Sequence, residues 1–153
     1  MKHLVPLSIL GAMIILAACT PRLGNVGLSD DPALNAFARQ VQQVILAHDW
    51  EAVVARAEPG HYESQVGSLG MGEPQYVAEL FGWNTVGNSV AGEGPITWAD
   101  LERIREVALD AAVPVNGEYE LQGTVRLDDG SRRDLRARIT RTQTGFALTG
   151  AVG

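Results

Sequence analysis

Two histidines stand where side chains could do chemistry: His48, and His61 within His61-Tyr62-Glu63. An imidazole beside a carboxylate can carry a proton near neutral pH, and the phenol of Tyr76 could join them. A metal needs three or four convergent ligands. The chain has no H-E-x-x-H or comparable cluster and one cysteine, Cys19, so neither metal nor cofactor is expected. Val66-Gly67-Ser68-Leu69-Gly70 lacks the glycine that a nucleophile elbow places two residues before its serine. Gly67, Gly70 and Gly72 are followed by no lysine, which a phosphate loop requires. No residue is therefore assigned a catalytic role. His48 sits on an apolar helical stripe and reads as a partly buried structural histidine. The residues left for a pocket or partner surface are His61, Glu63, Tyr76, Trp83, Arg136 and Arg138.

Charge narrows the partners. The 153 residues carry 12 basic against 18 acidic side chains, a net charge of −6. That balance argues against a nucleic-acid binder. It is also uneven. From residue 121 onward six arginines face three aspartates, whereas residues 19–120 hold five arginines against 15 acids. Arg136 and Arg138 would stand on the outward positions of a strand. Two readings follow: a solvated face balanced by Glu118 and Glu120, or a patch for an acidic envelope protein or anionic envelope polymer. Tyr62, Tyr76, Phe81, Trp83 and Trp98 gather in or beside a glycine-rich middle. They either close the open end of the core or anchor a partner.

The start of the chain has its own pattern. Met1-Lys2-His3 is followed by about thirteen apolar residues, Leu4 to Leu16, too few to span a bilayer and the length of a signal-peptide core. Leu16-Ala17-Ala18-Cys19 then resembles the lipobox of bacterial lipoproteins. The resemblance implies cleavage between Ala18 and Cys19. It also implies a diacylglycerol thioether plus an N-acyl chain on Cys19, and so a durable membrane anchor. Thr20 after the cysteine implies transport to the periplasmic face of the outer membrane, with an inner-membrane lipoprotein as the alternative. Residues 1–18 are then a signal peptide, 19–30 a lipidated N-terminus and flexible tether, and 31–153 a single domain. Cleavage would leave 135 residues with 11 arginines against 18 acids and no free thiol.

The elements that must position these residues are legible in part. Asp31 and Pro32 open a helix whose Leu34, Phe37, Ala38, Val41, Val44, Ile45 and His48 form one stripe. Asp49 caps a second helix over 50–57, stopped by Pro59-Gly60. Residues 58–96 read as an irregular middle holding one helical piece, 75–81. Thr97 and Asp100 form a near capping box with Ile96 and Leu101 as its staple, and a third helix is expected to run to about Ala111. Alternation then predicts a three-stranded antiparallel meander. Its first loop is Asp128-Asp129-Gly130 and its second Thr142 to Gly145, with Glu120 placed opposite Arg138.

The expected fold is α+β: two N-terminal helices, an irregular middle, a third helix and a meander with helices packed on one face. Ala47-His-Asp-Trp-Glu-Ala-Val-Val-Ala-Arg-Ala-Glu-Pro59, with the hairpin of Gly123, Val125, Leu127, Asp129 and Gly130, is similar to the NTF2-like (cystatin-like) superfamily. That resemblance implies a pocket between helices and sheet, in a superfamily that holds both isomerases and binding modules. The leading expectation is a lipid-anchored envelope lipoprotein acting as a non-catalytic binding or assembly module. The alternative is a small periplasm-facing enzyme or ligand carrier using His61, Glu63 or Tyr76.

Overall fold

A computed structural model of the protein describes residues 27–82 and 94–150. Ala18, Cys19 and Trp83 lie outside the described residues. The chain is α+β, with helices laid on one face of a four-stranded antiparallel sheet of order β1-β2-β3-β4. The elements are α1 (Pro32–Leu46), α2 (Trp50–Val54), α3 (His61–Leu69), α4 (Glu73–Gly82), a 3-10 helix (Trp98–Arg103), β1 (Ile104–Val115), β2 (Glu118–Leu127), β3 (Arg132–Thr142) and β4 (Gly145–Thr149).

Helix α1 begins where its cap requires. The Asp31 carboxylate accepts from the N–H groups of Ala33 (2.9 Å) and Leu34 (3.3 Å), two donors that the first turn leaves without helical partners. Leu34, Ala38, Val41 and Ile45 are buried, and Phe37 and Val44 pack against the same core. The Asp49 carboxylate caps α2 through the Ala52 N–H at 3.0 Å.

The second helix is shorter than expected, ending at Val54 rather than Ala57. The sheet takes the residues that would have extended it. Leu148 donates to Arg56 O at 2.7 Å, and Glu58 N–H donates to Leu148 O at 2.8 Å. Residues 56–58 thus run beside β4 as a short parallel bridge through Ala57.

The middle is more regular than its glycine content suggests. The expected piece at 75–81 lies inside α4, where Tyr76, Val77, Leu80 and Phe81 are buried as their spacing requires. Helix α3 was hidden because it buries no residue completely, which leaves no stripe to read.

The largest correction falls on the third helix. Thr97 N–H does donate to Asp100 Oδ2 (3.0 Å), and Ile96 and Leu101 are buried. The helical turn is nevertheless of 3-10 type and stops at Arg103, and residues 104–115 form β1. The sheet therefore has four strands rather than three. Register shifts between Ile104 and Glu106, and again between Leu109 and Ala111, break the alternation of β1. The core-facing residues become Ile104, Val107, Leu109 and Ala112, whose uneven spacing imitates a helical stripe. At the second shift β2 presses against β1, and a Cβ on Gly123 would lie 2.2 Å from Ala108 O.

The remaining registers follow the parity argument. Glu120 pairs with Arg138, and Leu127 N–H donates to Ser131 O across the three-residue loop 128–130. The second loop is shorter than expected, Gln143-Thr144 between the paired Thr142 and Gly145. It is still even in length, so Leu148 faces the core beside Ile139.

Candidate functional site

Helix α4 carries Tyr76 inward and α3 begins at His61, so the turn between these helices folds the two side chains together. His61 Nδ1 lies 2.7 Å from the Tyr76 hydroxyl, with ring centroids 5.5 Å apart. The Tyr62 ring meets Tyr76 edge-on at 4.9 Å. Burial, with smaller contributions from Glu63 and Tyr62, pushes the Tyr76 hydroxyl up to about 12. Tyr76 is 1% exposed, so its hydroxyl meets His61 and not solvent. Glu63 lies on the exposed side of α3 and makes no hydrogen bond to His61 among the described residues. The three expected polar groups therefore split into a hydrogen-bonded pair, of which Tyr76 is buried and His61 half-buried, and an outward carboxylate.

His48 has the structural role its position implies. Its Nε2 lies 2.9 Å from Ile104 O, its ring stacks on Trp50 at 5.6 Å, and Glu102 accepts from Trp50 Nε1 at 2.6 Å.

Arg136 and Arg138 stand on the sheet face turned away from the core, by the same alternation that sends Leu135, Ala137 and Ile139 inward. Both meet acids of β2. Arg136 Nη1 lies 3.4 Å from Glu120 Oε1, and Arg138 Nη1 lies 3.6 Å from Glu118 Oε2. Gln122 Nε2 also donates to Glu120 Oε1 at 2.8 Å. On the core side Arg133 reaches Asp100 Oδ2 at 3.4 Å, tying β3 to the 3-10 helix. Among the described residues no group of three or more His, Cys, Asp or Glu side chains gathers to hold a metal. No helix of the described residues is long and apolar enough to cross a membrane.

An apolar groove of about 670 Å³ lies between α3, α4 and the segment leading into the 3-10 helix. Its floor includes Ala78 and Ile96, and its rim carries Leu69 and Trp98. These two are the most exposed large apolar side chains described, at 64% and 60%. Gln65, Gln75 and Glu79 supply polar atoms along the same walls. The sequence signal for this groove was the aromatic cluster beside the glycine-rich middle, which contained Trp98. Leu69 carries none, because α3 buries no residue completely and leaves no apolar stripe in the sequence. A second cleft, of about 800 Å³, opens between α1, residues 55–59 and the β3–β4 hairpin.

Compared with protein-family models, curated proteins and solved structures, the chain matches none.

Proposed function

We propose that this protein is a lipid-anchored lipoprotein of the bacterial cell envelope whose domain is a binding or assembly module. The groove under Leu69 and Trp98 carries the binding part of this reading. Two large apolar side chains held in water beside a concave apolar floor are the features of a partner site. The polar groups that would otherwise suggest catalysis do not converge there. His61 and Tyr76 bond to each other, and Arg136 and Arg138 are paired with acids.

Leu16-Ala17-Ala18-Cys19 after an apolar stretch supports the anchor. Leu28 packs on the core and accepts from the Ala112 N–H, and Ser29 bonds Asn35, so the expected tether is shorter at its domain end than Asp30. From Thr20 to Gly27 it would reach on the order of 26 Å when extended. The outer membrane is the proposed destination, on the strength of Thr20. A small enzyme or ligand carrier with an NTF2-like pocket is the second reading, favoured by the proximity of His61 and Tyr76.

Crosslinking in intact cells, followed by affinity capture from detergent-solubilised envelopes, tests the module. Trp98→Ala and Leu69→Ser should each remove the captured partner without changing the amount of protein. Capture of the same partner in undiminished yield by the double variant would overturn the groove. Cys19→Ala should release the protein from the membrane fraction. Its unchanged recovery with the outer membrane would overturn the lipid anchor.

A further inference from the structure

The second cleft has a chemistry distinct from the groove. One wall is the first half of α1, including Phe37 and Gln40, and the other is β4 and its hairpin. Phe37 and Phe146 face each other with ring centroids 6.1 Å apart, and the Arg141 guanidinium covers Phe146 at 4.7 Å. Arg56 is the one charged side chain lining the cleft. Among the described residues it makes a single hydrogen bond, from Nη1 to Ala52 O at 2.6 Å, and no ion pair. Its Nε–H is buried without an acceptor. In a chain with an excess of six acids, this cleft offers a cation and no carboxylate.

The main chain beside Arg56 is also unfinished. Leu148 turns its N–H and C=O away from β3, to Arg56 O and the Glu58 N–H. Strand alternation gives Phe146, two residues earlier, the same outward orientation. Residues 56–58 do not reach that far, because the chain before them has coiled into α2. Among the described residues nothing pairs with the Phe146 N–H and C=O. The sheet edge thus stops one step short, inside a cleft.

We infer that this cleft binds the C-terminal segment of a peptide or protein, an extended strand ending in an apolar residue with a free carboxylate. Laid parallel to β4, in the direction that residues 56–58 already take, such a strand pairs with Phe146 and ends at Arg56. The guanidinium then donates to the terminal carboxylate, an anionic partner that none of the described residues supplies. The last side chain then lies against the touching rings of Phe37 and Phe146. The geometry fixes polarity, because an antiparallel strand would bring an amino end to Arg56. This site stands whether or not the Trp98 groove has an occupant.

The test uses the full chain in detergent and the acetylated tetrapeptide Gly-Val-Ala-Leu, as free acid and as C-terminal amide, followed by calorimetry and backbone amide NMR. The free acid should bind at least about tenfold more tightly than the amide and shift the Phe146 amide. Arg56→Gln should lose the same factor, and Arg126→Gln, which removes a cation paired with Glu106 away from the cleft, should keep it. Equal affinity for acid and amide on the unaltered protein would overturn the proposal, and needs no variant to fold. Octanoate binding as tightly as the peptide would also overturn it, because a fatty carboxylate has no strand to add.

Discussion

Tyr76 shows what a single side chain can and cannot reveal before folding. Its spacing with Val77, Leu80 and Phe81 marked it for burial, and the same residue was a candidate for chemistry. Burial won, and His61 became its hydrogen-bond partner. A hydroxyl raised from 10 to about 12 has a definite linkage sign. Below pH 10 both folded and unfolded chains keep the proton, and the contribution is fully present. Between pH 10 and about 12 the unfolded chain ionises first, so stability falls as pH rises. Tyr76→Phe should flatten this alkaline loss, measured as urea midpoint against pH, while lowering stability at neutral pH by about 0.5–1.5 kcal/mol for the lost hydrogen bond. An unchanged alkaline slope would show that Tyr76 does not carry it. The proximity of His61 was not legible, because it depends on the turn between two helices of which one left no stripe.

At the scale of elements, caps and turns were easier to read than the strand between them. Asp31, Asp49 and the 128–130 loop act locally, and each does what its residue types dictate. Strand β1 departs from the expected helix because its two register shifts give apolar spacings that belong to neither period. A stronger local signal was present. Asn116 and Gly117 have φ of 51° and 87°, the pair of left-handed residues that closes a two-residue hairpin, and Asn-Gly is the sequence that favours it. Given that turn, Pro114 and Val115 must belong to a strand facing Glu118 and Tyr119. Gly117→Val should cost about 1–2 kcal/mol through the left-handed backbone alone. Gly123→Val should cost about 1–3 kcal/mol or more, because its Cβ meets the backbone of β1. Chemical denaturation checks both. A Gly123→Val variant as stable as the parent would show that β1 and β2 do not approach as described.

At the scale of the molecule, the two halves of the chain are joined by more than their shared core. Residues 56–58 are bound to β4, so the helical half holds the last strand of the sheet in place. Unfolding should therefore be a single transition in which tryptophan fluorescence and far-UV circular dichroism coincide. Leu148→Ala, at a fully buried site on that junction, should lower stability by about 2–5 kcal/mol by both probes together. Separated transitions would show that the halves fold independently. The irregular β1 has a consequence at this scale as well. It is the outer strand of the sheet, where unspent hydrogen-bonding groups would invite a second copy to pair edge to edge. His48 meets the carbonyl of Ile104, Gln42 donates to that of Val107, and Leu28 accepts from the Ala112 N–H. The kinks at its two bulges and the missing N–H of Pro114 spoil what is left of a straight template. The distortions that disguise β1 as a helix in the sequence also guard the protein against edge-to-edge aggregation, which matters for a chain proposed to be anchored to a membrane surface.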